Sequence, residues 1–205
     1  MLRTYRILYR VGFTPWEGMT KSLPIGEQIS ALFAHEEGGG EPPYGQAIDL
    51  GCGSGIWAVE LARRGWQVTG VDFVPKALRR AGARAKDAEV EVRLLEGDVT
   101  NLPAEVGSGY KLLLDFGCFH DELSEDQRNS EGRQATAAAG PDATLWLLAW
   151  KPGRRGPLPR GAGSEEIQAA FPEWKLTDEV PLRLPEGAPG YVRRAEPQFY
   201  SLRRD

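Results

Sequence analysis

The stretch QAIDLGCGSGIWAVELARRGWQVTGVDF, from Gln46 to Phe73, decides the fold. It begins with a short apolar run, AIDL, passes through a glycine cluster into a helix-like stretch, and ends in a second apolar run, QVTGVD. A strand, a glycine-rich turn, a helix and a second strand form a βαβ unit with parallel strands. Open α/β sheets bind their ligands beyond the carboxyl ends of such strands.

The same alternation continues along the chain. VPKALRRAGARAK is a predicted helix with Pro75 in its first turn, and VEVRLLEGD and YKLLLDF are the third and fourth strands. A helix capped by Ser124 runs to Ala139 and precedes a fifth strand, ATLWLLAW. WKLTDEVPL and EPQFYSL indicate two further strands with no helix between them. We therefore predict an α/β fold, a doubly wound, Rossmann-like, seven-stranded and mostly parallel sheet with an antiparallel C-terminal strand pair.

Composition and charge weigh against several classes of function. The formal net charge of −4 argues against a nucleic-acid partner, which favours a basic face. No apolar run approaches the ~18 residues of a membrane span, and the arginine-containing N-terminus has no signal-peptide cleavage site. The two cysteines do not suggest a disulfide scaffold, and no His/Cys/Asp cluster has metal-ligand spacing. We expect a cytoplasmic protein without a membrane partner or a metal.

The glycine cluster and two acids indicate the kind of ligand. Gly51, Gly53 and Gly55 follow the first strand, and Asp72 ends the second, where its carboxylate can accept from both hydroxyls of a ribose. A dinucleotide site has the spacing G-x-G-x-x-G, whereas this cluster reads G-x-G-x-G. Asp49, just before the first glycine, would repel a pyrophosphate and suits a cation. The charge therefore favours a sulfonium cofactor over a dinucleotide.

IDLGCGSG, VTGVDF and LLEGDVTNLP, in this order, resemble the motifs of class I S-adenosylmethionine-dependent methyltransferases. The resemblance covers about residues 46–150. It implies that the three glycines line the methionine part of the cofactor and that Asp72 holds the ribose hydroxyls. It also implies that Asp98 and the backbone of Val99 face the adenine, on which Phe73 packs. The predicted cofactor set is completed by Asp49 and Cys52, which lie within the first motif, and by Phe116, which ends the fourth strand.

The N-terminal segment carries a second resemblance. Thr14-Pro15-Trp16-Glu17-Gly18 is similar to a segment of the thiopurine and halide/thiol methyltransferase group that covers the bound cofactor. Glu17 stands where that group has Asp, and the glycine comes one position early. The resemblance implies that Trp16 contacts the cofactor, where a cation–π interaction with a sulfonium is physically sensible. The alternative is that Trp16 anchors the N-terminal segment by its hydrophobic surface.

The stretch LDFGCFHDEL resembles a segment common in small-molecule methyltransferases of this kind. It implies that His120 faces the transferred methyl group, and His120 is our candidate general base. The alternative is a histidine that only bonds the backbone at a helix entry. Phe116 and Asp121 depart from the usual arginine and histidine of that segment.

We predict a methyltransferase that moves a methyl group from S-adenosylmethionine to a sulfur or oxygen of a small molecule by in-line displacement, with S-adenosylhomocysteine as product. A nucleic-acid or protein methyltransferase and a non-catalytic cofactor-binding domain are the alternatives. The [Asn/Asp/Ser]-Pro-Pro-aromatic motif of base- and glutamine-methylating enzymes is replaced by DFGC after the fourth strand. A monomer and a homodimer are both open.

The length fits a single methyltransferase domain, residues 1–205. Within it we predict an N-terminal lid or helical segment over residues 1–45 and a cofactor-binding core over residues 46–150. A C-terminal part, residues 151–205, contains a loop, a short helix and the strand pair.

Overall fold

The computed structural model describes residues 2–12, 14, 17, 23–120, 123–153 and 160–205. Seven strands form one sheet: β1 (Gln46–Leu50), β2 (Gln67–Asp72), β3 (Val92–Glu96), β4 (Tyr110–Asp115), β5 (Ala139–Trp150), β6 (Trp174–Pro181) and β7 (Pro197–Arg204). Their order is β3-β2-β1-β4-β5-β7-β6. Strands β1 to β5 pair in parallel, whereas β7 is antiparallel to both β5 and β6. The predicted fold class is confirmed.

Helices cover both faces of this sheet. They are α1 (Leu2–Val11), α2 (Leu23–Glu37), α3 (Ile56–Arg64), α4 (Pro75–Asp87), α5 (Glu125–Ala138), α6 (Ser164–Ala170) and α7 (Gly190–Ala195). Neighbouring strand residues point to opposite faces, so Ala47 of β1 packs with α2 and α3, and Ile48 packs in the cluster that contains α5 and α6. No helix in the described ranges is long and apolar enough to cross a bilayer.

Two local features differ from the predictions. Strand β5 begins at Ala139 rather than Ala143, and α5 enters it with no loop between them. Gly140 packs closely against Gly109 at this point, since a Cβ there would lie 3.3 Å from the backbone of Gly109. Helix α7 lies between β6 and β7, so the prediction of no helix there is wrong. A helix of six residues is too short to show the apolar periodicity on which sequence prediction relies.

Candidate active site

The glycine turn follows the carboxyl end of β1. Gly51 and Gly53 have φ angles of 69° and 54°, a region in which residues with a side chain are strained. A Cβ at Gly51 would collide with Sγ of Cys118, and one at Gly53 would lie 2.8 Å from the hydroxyl of Tyr9. The lack of side chains at these two glycines therefore lets Cys118 and Tyr9 of α1 approach the backbone of the turn.

The third glycine of the motif has a packing role. Gly55 precedes α3, and a Cβ there would lie 2.8 Å from Cβ of Ala81 in α4. The absence of a side chain lets α4 approach the start of α3 closely. A contact between Gly55 and the methionine part of a cofactor stays a prediction.

Three buried carboxylates converge on the same edge of the sheet. Asp49, Asp72 and Asp115 stand on or at the ends of β1, β2 and β4, which are adjacent strands, and are at most 6% exposed. The N–H groups of Gly53 and Val74 donate to Asp72, with N–O distances of 2.9 and 2.7 Å. Asp72 thus ties the glycine turn to the end of β2.

Burial and mutual repulsion make the acids at this end of the sheet harder to ionise. Burial raises the pKa of Asp49 to about 8, Asp72 and Asp115 raise it too, and the N–H of Ala58 opposes them. Oδ2 of Asp49 is buried and has no hydrogen-bond partner. Burial also raises the pKa of Asp72, and burial together with Asp49 and Asp72 raises the pKa of the Cys52 thiol. A cation placed here would relieve the repulsion among the acids.

The predicted adenine-side residues form a tight turn after β3. Oδ1 of Asp98 accepts from the N–H and the hydroxyl of Thr100 at 2.9 and 2.7 Å, and its carbonyl accepts from the N–H of Asn101 at 2.9 Å. The side chain of Val99 packs against the core. On the other side, Phe73 packs in a small cluster with Tyr9 of α1. The structure thus gives Asp98 a turn-stabilising role, and an adenine contact stays a prediction.

Asp115 organises the loop that follows β4. Its Oδ1 accepts from the N–H groups of Gly117 and Cys118 at 3.0 and 2.7 Å, and its Oδ2 accepts from the N–H of Phe119 at 3.1 Å. These bonds fix the backbone that leads to His120. The sequence prediction missed this role, although an acid followed by a glycine-containing turn is a recognisable signal for backbone capping.

His120 lies just beyond this loop and is 7% exposed. Its Nδ1 is 2.9 Å from the carbonyl oxygen of Leu148 in β5. Because a carbonyl only accepts, Nδ1 carries the hydrogen, and Nε2 of the neutral ring holds the lone pair. The ring of Trp150 meets the imidazole edge-on, with ring centroids 5.8 Å apart. His120 therefore does bond the backbone, as the alternative interpretation of this histidine proposed. The same bond selects the Nδ1–H tautomer, which is the form that a base acting through Nε2 needs.

Phe116 lies on the face of the sheet covered by α2 and α3. Its ring packs against Trp57 and Phe199, with centroid distances of 6.2 and 5.3 Å. Its contact with a cofactor stays a prediction. Trp16 and Asp121 lie outside the described residues. The contact of Trp16 with a cofactor therefore stays a prediction.

Helix α5 adds two buried charged residues that the sequence prediction missed. Arg128 and Glu131 are 4% and 1% exposed. Burial, followed by the charge of Asp115, raises the pKa of Glu131 well above its usual range. Neither carboxyl oxygen of Glu131 has a donor, whereas a protonated Glu131 can itself donate to Asp115. The signal in the sequence was an Arg-x-x-Glu pair on the helix face that also carries Ala135.

A family model described as a methyltransferase domain matches residues 47–139. The match includes the glycine turn, all three carboxylates and His120. Residues 47–139 therefore form a methyltransferase domain, and the order of the sheet supports the class I, S-adenosylmethionine-dependent type. The domain is that of an enzyme, and S-adenosylmethionine is its cofactor.

Curated relatives and solved structures resemble this methyltransferase domain. Over 127 residues it is 31% identical to a ribosomal RNA small subunit methyltransferase C of Alcanivorax borkumensis, covering 61% of this chain and 38% of that relative. The chain thus spans well under half of that protein. Over 169 residues it is 27% identical to a 2-heptyl-1-hydroxyquinolin-4(1H)-one methyltransferase of Mycobacteroides abscessus, covering 79% of this chain and 73% of that relative.

A solved structure shares the fold across nearly the whole chain. It is a 1,6-didemethyltoxoflavin-N1-methyltransferase of Burkholderia thailandensis, crystallised with 1,6-didemethyltoxoflavin and S-adenosylhomocysteine. The TM-score is 0.74 at 19% identity, with 99% of this chain and 86% of that chain covered. At this identity the likeness concerns the fold.

The residues of this methyltransferase domain fit S-adenosylmethionine. The cofactor carries an ammonium and a sulfonium, and the edge of the sheet offers Asp49 with an unpartnered buried oxygen beside Asp72 and Asp115. A pyrophosphate would add negative charge to three buried acids, so a dinucleotide does not fit.

Proposed function

We propose that this domain transfers a methyl group from S-adenosylmethionine to a sulfur or oxygen atom of a small molecule by in-line displacement. The observation that carries this proposal is the anchored imidazole of His120, whose Nδ1–H is held by Leu148 and whose Nε2 therefore keeps its lone pair. His120 lies beyond the end of β4, beside the edge that carries Asp49 and Asp72. Such a base suits an acceptor that must lose a proton.

The cofactor side of the mechanism consists of binding and orientation. When bound, S-adenosylmethionine supplies an electrophilic methyl group on a sulfonium. Asp72 accepts from the ribose hydroxyls, and Asp49 faces a positive group of the methionine part. Asp98, the backbone of Val99, and Phe73 hold the adenine. Cys52, Phe116 and the three glycines of the turn complete the proposed binding set.

The acceptor side differs for sulfur and oxygen nucleophiles. A thiol is partly ionised near neutral pH and strongly nucleophilic, so it needs alignment and exclusion of water more than a base. A phenol or another hydroxyl would give its proton to Nε2 of His120 as its oxygen bonds to the methyl carbon and the bond from that carbon to sulfur breaks, which leaves S-adenosylhomocysteine. Trp16 and the segment over residues 1–45 would cover the site and exclude water, as in the thiopurine and halide/thiol methyltransferase group.

The relatives and the charge of the chain favour a small acceptor. One relative is named for a hydroxyquinolone, and the toxoflavin-related methyltransferase was crystallised with a small heterocycle. The relative named for ribosomal RNA keeps a nucleic-acid acceptor as the second candidate. The formal net charge of −4 weighs against it, because phosphate backbones are bound by basic surfaces. A single domain, a cytoplasmic location and a monomer or homodimer complete the proposal.

Two experiments test this function. Calorimetry with S-adenosylhomocysteine and NAD should show binding of the first and none of the second. Turnover of S-adenosylmethionine should then be measured with a panel of thiols, phenols and short RNA hairpins. Methylation of a thiol or phenol supports the proposal. Turnover with RNA alone, or binding without turnover on the whole panel, contradicts it.

A further inference from the structure

Arg128 of α5 makes a set of contacts that reaches toward His120. Its side chain is 4% exposed, and its Nη1 lies 3.0 Å from Oε1 of Glu166 in α6. Its Nη2 donates to the carbonyl oxygen of Gly161 at 3.0 Å. The guanidinium lies over the ring of Phe119, with Cζ 5.3 Å from the ring centroid. Arg128 thus joins the loop after β4, the segment before α6, and α6 itself.

Gly161 links Arg128 to the backbone of His120 through two hydrogen bonds. Its N–H donates to the carbonyl oxygen of His120 at 3.0 Å, while its own carbonyl is the acceptor for Arg128. The next residue, Ala162, donates to the carbonyl of Trp150 at 2.9 Å. The peptide at Gly161 therefore lies between the buried guanidinium and the backbone of the histidine. His120 is held at two points, its carbonyl by Gly161 and its Nδ1 by Leu148.

The charged groups near Arg128 differ from it in exposure or in hydrogen-bond partners. Arg160 also pairs with Glu166, but its side chain is 54% exposed. Glu166 additionally accepts from the N–H of Gly163 at the start of α6. Glu131 is buried, and the charges of Asp115 and Asp98 act on its carboxyl group. Arg128 is the buried charge that bonds Gly161, so its loss would leave that carbonyl and Glu166 without their buried donor.

We propose that Arg128 is a positioning residue for the acceptor side of the site. It fixes Gly161, and through Gly161 the backbone of His120, so that the imidazole keeps its Nδ1–H on Leu148 and presents Nε2 to the acceptor. This inference rests on the proposed function in assigning His120 the role of base. The geometry that it predicts for the imidazole can be measured without any acceptor.

The chain has only two histidines, so long-range ¹H–¹⁵N correlation spectra resolve both imidazoles, and a His35→Gln variant assigns them. The wild type should show His120 as the Nδ1–H tautomer. Arg128→Met should shift the His120 nitrogens toward a mixture with the Nε2–H tautomer. S-adenosylhomocysteine affinity should stay within about twofold of wild type, because Asp49, the glycine turn and Asp72 belong to β1, the turn after it, and β2.

Arg64→Met is the matched control. Arg64 also forms an ion pair with a glutamate, Glu37, and lies over a ring, with Cζ 5.9 Å from the centroid of Phe33. It joins α3 to α2, away from His120. The variant should lose stability in a similar way and leave the His120 tautomer unchanged. An equal change in both variants would show a general structural effect and overturn the proposal.

A folded Arg128→Met protein with the wild-type His120 spectrum would also overturn it. Should Arg128→Met fail to fold, Gly161→Ala decides, because a Cβ there would come within 2.5 Å of the carbonyl oxygens of Trp150 and Lys151 and displace the same peptide. A mixed tautomer in Gly161→Ala supports the inference, and a wild-type tautomer overturns it. Absence of turnover with every acceptor would contradict the proposed function while leaving this spectroscopic result intact.

Discussion

The proposed cofactor end and the proposed acceptor end of this site are built in different ways. At the cofactor end, Asp49, Gly53 and Asp72 belong to one βαβ unit, and a hydrogen bond of 2.9 Å joins Gly53 to Asp72. At the acceptor end, His120 is held by Leu148 of β5 and by Gly161, which in turn is held by Arg128 of α5. One end is encoded locally, and the other is assembled from distant segments.

This difference separates two kinds of requirement. Binding a cofactor shared by many enzymes needs a fixed charge pattern and a fixed turn, which a single supersecondary unit can supply. Recognising a particular acceptor needs loops that can vary without disturbing that unit. Substitutions at His120, Asp72, Asp49 and Ser124 test whether the two ends respond independently.

The largest effect should come from His120→Ala with a phenol acceptor. A phenol with a pKa near 10 is almost entirely un-ionised at neutral pH, and a positioned base contributes ~10²–10⁴-fold. The rate with a phenol should fall at least about a hundredfold, while the rate with a thiol should hardly change. Single-turnover rates with matched aromatic thiols and phenols measure this difference.

The control for that prediction is S-adenosylhomocysteine affinity, which His120→Ala should leave unchanged because the base belongs to the acceptor end. Equal loss with thiol and phenol would remove the role of base from His120. A loss of cofactor affinity would break the separation between the two ends.

Asp72→Ala should have the next largest effect, on cofactor binding. It removes a buried carboxylate that is proposed to accept from the ribose, and hydrogen bonds to charged groups contribute ~1.5–3 kcal/mol each without being additive. Calorimetry should show S-adenosylhomocysteine binding weakened by about 2–4 kcal/mol. Wild-type affinity in Asp72→Ala would contradict the ribose assignment.

Asp49 should make cofactor binding depend on pH. Its pKa in the folded protein is raised from 3.8 to about 8, so below pH 8 the free protein holds a proton on it. A bound ammonium or sulfonium favours the ionised form, so binding releases this proton, and affinity should rise by up to about tenfold per pH unit between pH 6 and 7.5. Calorimetry in buffers of different ionisation enthalpy should detect the released proton.

The raised pKa of Asp49 also determines whether the free energy of unfolding rises or falls with pH. The unfolded chain releases the proton of Asp49 near pH 3.8 and the folded protein near pH 8, so the free energy of unfolding should fall as pH rises through this window. Asp49→Asn should flatten both pH dependences. Identical slopes in the variant and the wild type would assign the proton to another group, such as Glu131.

The sequence predicted the fold and the glycine turn with an acid at the end of the next strand, but not the contacts that hold His120, and the reason is physical. A glycine at positive φ and an acid at a strand end act on residues close in sequence, so their roles can be inferred from spacing. The link from Arg128 through Gly161 to His120 depends on how three segments pack, and no spacing indicates it. Helix α7 was missed because six residues carry too little periodicity.

The smallest effect should come from Ser124→Ala at the start of α5. The Ser124 hydroxyl accepts from the N–H of Gln127, whose side chain accepts in turn from the N–H of Ser124, and losing such a cap costs about 1 kcal/mol. Urea unfolding should show this loss. The His120 tautomer should persist, because Arg128 is anchored by Glu166 and Gly161 rather than by the cap. S-adenosylhomocysteine affinity should also persist, since the cofactor end lies on other strands. A shift of the tautomer with the cap alone would show that the acceptor end depends on the local start of α5, and the contrast between a locally encoded end and an end assembled from distant segments would fail.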